Sequence, residues 1–73
     1  MEIWDLKNKI KVHRAINNLT QEELANEVGV TRKTINTIEN VKYIPSTVLA
    51  IRIARFFKVS VEELFELAEI KSQ

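Results

Sequence analysis

A chain of 73 residues without cysteine can form no disulfide and no cysteine-ligated metal site. Its hydrophobic fraction of 45% is too high for a disordered protein, and its single glycine and single proline favour helices over an all-β fold. The length allows one domain, which we place at residues 1–73 with a core at 6–70, and the formal net charge of +1 indicates no class of partner.

The distribution of charge is more informative than the total. Residues 29–58 contain six basic residues and one acidic residue, whereas both flanking segments are mildly acidic. A basic middle can face the phosphates of a nucleic acid, although solvated helix surfaces would explain it equally well. The apolar runs are too short to cross a membrane and the start lacks the pattern of a signal peptide, so we expect a cytoplasmic protein.

The first two helices are indicated by caps and spacing. A helix from about Asp5, as N-cap, to Asn17 would place Leu6, Ile10 and His13 on one face, and Asn17–Asn18 would end it. Thr20 and Glu23 have the spacing of a capping box, which predicts the start of a second helix. The buried stripe of this helix consists of Leu24, Ala25 and Val28. Gly29 ends the helix, because glycine allows positive φ.

Three more helices are predicted after the glycine. Thr31 caps the third helix, whose inward residues are Ile35 and Ile38. A loop over residues 41–45 leads to a fourth helix capped by Ser46, with its apolar stripe at Leu49, Ala50, Ile53, Ala54 and Phe57. A fifth helix begins after Ser60, with Glu63 completing a second capping box, and its apolar residues pack inward or onto a partner: Leu64, Phe65, Leu67, Ala68 and Ile70. The fold class is therefore all-α, with five short helices.

The segment from Thr20 to Asn40 has the features of a helix-turn-helix. Its two short helices are joined by a turn of three or four residues that contains Gly29. Ala25 allows the two helices to cross closely, and apolar residues on both would fix the angle between them. The second of these helices, at about 31–40, would then project its polar face into a DNA major groove.

The chain resembles the Cro/CI phage-repressor type of helix-turn-helix family from about Ile10 to Phe65. The matching motifs are Leu19 to Ala25, Gly29 to Thr31, Thr34–Ile35, Ile38 to Asn40, the Lys42–Tyr43–x–Pro45–Ser46 segment, and the stretch from Phe57 to Phe65. The resemblance implies a five-helix, lambda-repressor-like DNA-binding domain. It also implies a sequence-specific transcriptional regulator that binds double-stranded DNA, as a homodimer on a palindromic site, with no cofactor and no metal.

The resemblance assigns roles to individual residues. Arg32, Lys33 and Thr37 would contact bases, with Arg32 suited to a bidentate pair with guanine. Arg14 and Glu39 would form a structural ion pair between the first helix and the recognition helix, while Asn36 is interpreted as a rim residue. The DNA backbone would be contacted by four residues: Gln21, which also braces the recognition helix, Thr31, Asn40 and Lys42.

Several residues depart from the family pattern. Val41 and Lys58 stand where glycine is frequent, and since a β-branched residue disfavours positive φ, we expect the helix end at Val41 to be shaped differently. His13 replaces a usual leucine and is expected to be partly buried and hydrogen-bonded rather than a metal ligand. Ile3 and Trp4 lie outside the shared pattern and would cover the core or contact a dimer partner.

Two other classes of function compete with DNA regulation. An antitoxin-like protein-interaction module on the same fold would bind its partner through the fifth helix or the N-terminal leader. An enzyme is disfavoured, because a lone histidine and scattered carboxylates assemble no nucleophile–base pair.

Overall fold

The computed structural model describes residues 3–70, with side chains from Asp5 to Ala68. Its elements run in the order β1 (Ile3–Asn8), α1 (Ile10–Ile16), α2 (Gln21–Val28), α3 (Arg32–Glu39), α4 (Thr47–Phe57), α5 (Val61–Leu64) and β2 (Phe65–Ile70). The five helices within these residues confirm the predicted five-helix architecture. The structure adds a two-stranded sheet that the sequence did not predict.

The helices enclose one hydrophobic core. Its fully buried side chains are large and aliphatic and come from every helix: Ile10, Leu24, Ile35, Ile38, Ile53 and Leu64. Ala25 is 1% exposed at the crossing of α2 and α3, where a small residue was expected. Burial of this aliphatic surface is the main driving force for folding.

Hydroxyl side chains begin four of the helices, as predicted. Thr20, Thr31, Ser46 and Ser60 each accept a hydrogen bond from the backbone N–H three residues later. At Thr20 the capping box is complete, because the Glu23 carboxylate also accepts from the Thr20 N–H at 3.0 Å. At Ser60 the structure shows the hydroxyl bond to Glu63 N–H, at 3.0 Å, without the reciprocal bond from the glutamate. Each hydroxyl satisfies a donor that the first turn of a helix leaves free.

The prediction for the first helix was wrong at its start. Asp5 and Leu6 lie in β1, and α1 begins only at Ile10, after Lys9, which makes no side-chain cap. Asp5 instead accepts a hydrogen bond from the N–H of Leu6 at 2.9 Å. The helical spacing of Leu6 and Ile10 was misleading, because β pairing with a distant segment stabilises the extended conformation of these residues.

The prediction for the fifth helix was wrong at its end. The helix has only four residues, and the chain continues from Phe65 as β2. β2 pairs antiparallel with β1, in a register that places Asn8 opposite Phe65 and Leu6 opposite Leu67. Phe65 is buried while Leu67 is 64% exposed. The apolar residues after Leu64 that we expected on the fifth helix therefore lie on a strand.

Four helices end with a residue in the left-handed conformation. Beyond α3, Val41 has φ of 60°, its N–H donates to Ile38 O at 3.0 Å, and Lys42 N–H donates to Thr37 O at 2.9 Å. These two bonds form a Schellman motif. The expectation that Val41 would reshape this helix end was wrong, because the motif keeps a positive φ despite the β-branched side chain. The four residues are Asn18, Gly29, Val41 and Lys58.

His13 is half-buried, and its ring lies against Phe57 with 5.4 Å between ring centroids. The expected hydrogen bond of the imidazole is replaced by this aromatic contact among the described side chains. The side chains of Ile3 and Trp4, for which core cover or a dimer contact was expected, lie outside the described residues. Within residues 3–70, no helix has the length and apolar composition required to span a bilayer.

Candidate nucleic-acid interface

The helix-turn-helix consists of α2, a turn over residues 29–31, and α3. Gly29 ends α2 with φ of 79°, and the N–H of Val30 donates to Ala25 O at 3.0 Å. Thr31 then caps α3 by accepting from the N–H of Thr34 at 3.3 Å. Because the turn is closed by hydrogen bonds at both ends and the inner faces are buried, α3 has a fixed orientation relative to α2.

The outward face of α3 is polar and basic. Arg32 and Lys33 are exposed in its first turn, which contains no acidic residue. Asn36 is exposed one turn later, and Thr37 is half-buried. The hydrophobic residues of α3 lie on the opposite side in the core, so this face is free to contact a partner.

An ion pair joins α1 to the end of α3. Arg14 Nε donates to Glu39 Oε2 at 2.7 Å, and its Nη2 donates to Oε1 at 3.0 Å. The two side chains are 14% and 6% exposed. The hydrogen bond to Glu39 and the negative charge of this residue raise the pKa of Arg14 above its usual value, against the opposing effect of burial. Bidentate geometry of this kind fixes orientation as well as distance.

Gln21 extends this ion pair to the outward face of α3. Its Nε2 donates to Glu39 Oε1 at 3.1 Å. Its Oε1 lies 3.4 Å from both Arg32 Nη1 and Asn36 Nδ2, which are long contacts at the limit of a hydrogen bond. A continuous polar chain therefore runs from α1 through Glu39 and Gln21 to the exposed side chains of α3. We call this chain the Arg14–Glu39–Gln21 brace.

The remaining residues with expected DNA contacts lie around α3. Thr37 Oγ1 donates to the Thr34 carbonyl at 2.9 Å, which leaves the hydroxyl oxygen as an acceptor. Asn40 Nδ2 donates to Asn36 O at 2.8 Å, so this amide caps the helix in the free protein. Lys42, whose N–H donates one of the two bonds of the Schellman motif, is exposed. The structure thus places the two basic residues and Thr37 on one helix, with Asn40 and Lys42 at its far end.

Three contacts of this region were missed by the sequence reasoning. Asn36, interpreted as a rim residue, reaches Gln21. Asn8 Nδ2 donates to Ile38 O at 2.8 Å and thereby ties β1 to the last turn of α3. The guanidinium of Arg52 lies over Gly29, 3.7 Å from the position that a Cβ there would occupy. No local signal marks Asn8 or Arg52, because both contacts join segments distant in sequence.

Comparison with known proteins places this geometry in a family. The sequence profile of the helix-turn-helix family matches residues 10–64. The chain belongs to the helix-turn-helix family. This confirms the resemblance to the Cro/CI type and covers every helix of the structure.

Relatives of this helix-turn-helix protein occur in archaea and bacteria. It is 55% identical over 60 residues to an uncharacterized HTH-type transcriptional regulator of Methanocaldococcus jannaschii, covering 82% of this chain and 91% of the relative. It is 44% identical over 64 residues to the uncharacterized HTH-type transcriptional regulator YgzD of Bacillus subtilis, covering 88% and 97%. A crystal structure of a Bacteroides fragilis protein, described as a candidate DNA-binding protein, superposes with a TM-score of 0.74 at 28% identity, covering 84% of this chain and 98% of that one.

Proposed function

We propose that this helix-turn-helix protein is a sequence-specific transcriptional regulator that binds double-stranded DNA through α3. The observation that carries the proposal is the exposed, acid-free first turn of α3, held in a fixed direction by the Arg14–Glu39–Gln21 brace. A projecting helix with basic residues at its N-terminal end is suited to a DNA major groove. The relatives named as transcriptional regulators support a regulator rather than an enzyme.

Base contacts are assigned to three residues of α3. Arg32 donates to the two acceptors of a guanine edge, and Lys33 contacts a neighbouring base or a phosphate. Thr37 lies about one turn further along the helix, and its methyl group is suited to the methyl group of thymine. Because Gln21 contacts Arg32, it also limits the directions in which the guanidinium can point.

Backbone contacts are assigned to residues that flank α3. Gln21 and Thr31 lie at its start, whereas Asn40 and Lys42 lie at its end. Contacts of this kind set the position of the helix on the duplex and carry no sequence information themselves. Asn40 must exchange its bond to Asn36 for a phosphate oxygen on binding. We further propose a homodimer on a palindromic site, acting in the cytoplasm without a cofactor.

The experiment that tests the proposal is selection of bound sequences from a random duplex library. Wild-type protein is compared with the Arg32→Ala, Lys33→Ala double variant and with a Lys11→Ala, Arg55→Ala control, which removes the same charge from α1 and α4. We expect one palindromic motif with wild type and control, and none with the α3 variant. Equal enrichment by all three proteins would contradict base reading by α3.

A second function on the same fold is an antitoxin-like protein-interaction module. The observation that favours it is Leu67, which is 64% exposed on β2, in the segment where a partner contact was expected. Folded wild-type protein that enriches no DNA sequence would favour this alternative. Under this alternative, the Arg32→Ala, Lys33→Ala variant would bind the protein partner as well as wild type does.

A further inference from the structure

The sheet formed by β1 and β2 is open along the outer side of β1. Within residues 3–70 the sheet has only these two strands. Lys9 N–H donates to Leu64 O at 2.9 Å, so the backbone groups of Lys9 point toward the β2 side. Because every second residue of an antiparallel strand directs its backbone groups toward its partner, Lys7 and Asp5 do the same. Leu6 must then direct its backbone N–H away from β2. Its hydrogen bond at 2.9 Å to Oδ1 of Asp5 agrees with this direction.

The open sheet leaves one edge of β1 unpaired. The sheet packs on the helical core through Leu6 and Phe65, but the unpaired edge is a template for a further strand. The outward edge of β1 carries no proline, which would block such pairing. Asp5 satisfies the outward N–H of Leu6 in the free chain, and a backbone carbonyl of another strand can replace it.

We propose that β1 pairs with β1 of a second copy of this chain, antiparallel and centred on Leu6, so that two sheets become one of four strands. The proposal rests on the homodimer proposed above and specifies its surface. The strand order is β2–β1–β1–β2, and the two-fold axis passes between the two Leu6 residues. Each Leu6 then exchanges backbone hydrogen bonds with Leu6 of the partner subunit.

Charge selects this register. When two β1 strands pair antiparallel, their outward backbone groups face each other only if the two-fold axis passes through a residue of β1. If the axis passed between two residues, outward groups would lie opposite inward ones. A centre at Asp5 would place two aspartates face to face, and a centre at Lys7 would do the same with two lysines. A centre at Leu6 places Asp5 opposite Lys7 of the partner subunit, twice. Opposite charges stabilise such cross-strand pairs and like charges destabilise them.

The side chains of the resulting sheet are complementary on both faces. Residues directly opposite each other share a face, so Leu67 and Leu6 would continue into the same two leucines of the partner subunit. The row is continuous across the interface, and the two Leu6 side chains meet at its centre. On the other face, Lys7 would lie between Glu66 of its own chain and Asp5 of the partner subunit.

The outer edge of β2 is the competing surface. Its sequence, FELAEI, contains two glutamates and no basic residue, so pairing with its own copy forms no opposite-charge pair. The edge of β1 has such pairs in one register only. The charge pattern therefore favours β1.

Edge blocking by proline tests the assignment. Leu6→Pro removes an N–H that points away from β2, and Leu67→Pro removes the corresponding outward N–H of β2 as a matched control. We expect sedimentation equilibrium without DNA to show a dimer for wild type and Leu67→Pro, and a monomer for Leu6→Pro. Circular dichroism and thermal melting check that each variant is folded, since Leu6 also packs against the core.

Charge reversal tests the register and does not depend on the proline variants. Asp5→Lys places two lysines opposite each other across the interface, at position 5 of one subunit and position 7 of the other. A Lys7→Glu, Glu66→Lys variant places two acidic side chains opposite each other at the same positions and keeps opposite charges between β1 and β2. We expect the dimer dissociation constant of each variant alone to rise about tenfold. A mixture of the two should form a heterodimer with near wild-type affinity.

The expected behaviour of the mixture follows from the charges of the two subunits. The β1 strand of the Asp5→Lys variant is basic at both positions, and that of the Lys7→Glu, Glu66→Lys variant is acidic at both. Each position 5 therefore meets a position 7 of opposite charge in the heterodimer. Like charges meet in both homodimers, so the mixture is the only combination of the two variants with opposite-charge pairs.

Three results would overturn the inference. A dimer lost in Leu67→Pro and kept in Leu6→Pro would assign the interface to β2, and charge variants that fail to associate when mixed would exclude the register. The proposed DNA binding is measured separately on a half-site duplex, which a monomer can still bind. Failure of the β1 interface is thus distinguishable from failure of DNA recognition, while wild type that stays monomeric overturns both this inference and the proposed homodimer.

Discussion

Glu39 receives hydrogen bonds from two other helices, because Arg14 of α1 and Gln21 of α2 both donate to its carboxylate. The Glu39 side chain is 6% exposed and is therefore largely removed from water. Its position in the last turn of α3 means that two neighbouring helices hold α3 in place. Under the proposed function, stability and DNA recognition share this residue.

Arg14→Ala should destabilise the fold. The substitution leaves the carboxylate of Glu39 largely buried without its main partner, which costs about 3 kcal/mol of unfolding free energy. Urea unfolding followed by circular dichroism measures the loss. An Arg14→Met, Glu39→Met double variant is the control, and it should lose much less, because no charge remains buried. Equal losses in the two proteins would show that packing, rather than the unpaired charge, is responsible.

Gln21→Ala should weaken DNA binding without a comparable loss of stability. Arg32 and Asn36 would lose the contact that directs them, and the phosphate contact proposed for Gln21 would be lost. We expect binding to the selected duplex to fall about tenfold, the equivalent of one or two hydrogen bonds. Fluorescence anisotropy measures it. Asn26→Ala removes an exposed amide from the same helix and is the matched control; a similar loss in that variant would argue against a specific role for Gln21.

Val41→Gly should stabilise the protein. A β-branched residue is strained at φ of 60°, and glycine adopts this conformation without strain. We expect a net gain of about 1 kcal/mol, because the relief of strain exceeds the cost of the greater entropy of glycine in the unfolded chain. Thermal melting measures the gain. Gly29→Ala is the reverse experiment and should lose about 1 kcal/mol of stability. The loss should come mostly from backbone strain at positive φ, because the new Cβ would lie 3.7 Å from Arg52, an ordinary contact distance. A destabilised Val41→Gly would mean that the Val41 side chain contributes more than its strain.

The capping box of α2 should make stability depend on pH. Hydrogen bonds from the backbone and side chain of Thr20 lower the pKa of Glu23 below its usual value of 4.5. A carboxyl group with a lowered pKa in the folded state contributes stability above its usual pKa, and this contribution is lost as the pH falls through the lowered pKa. We expect Glu23→Gln to be less stable than wild type near neutral pH, with the difference shrinking in acid. Thermal melts over that range, with exposed Glu27→Gln as control, check the prediction; a difference independent of pH would contradict it.

Local signals in the sequence predicted the helix-turn-helix and its caps. Thr20, Thr31, Ser46 and Ser60 were identifiable because capping depends on residues three positions apart. The brace between Arg14 and Glu39 was expected only from the family resemblance, since no rule of spacing brings residues 25 apart together. The conformation of Val41 was mispredicted because the local backbone hydrogen bonds of the Schellman motif outweighed its intrinsic preference.

The strands show where sequence reasoning reached its limit. Leu6 and Leu67 are more than 60 residues apart, and each segment alone has a spacing compatible with a helix. The β conformation of each is stabilised by pairing with the other, so neither was identified from its own residues.

The contact between the first and last strands also orders the events of folding. The helix-turn-helix closes through contacts between neighbours in sequence, whereas joining β1 to β2 closes a loop that contains all five helices. Loop closure of this length carries the greater entropic penalty, so we expect the strands to join after the helices have packed. The sheet is also the part of the fold that can open while the helices stay packed, and its backbone amides should exchange with solvent before those of α3 and α4.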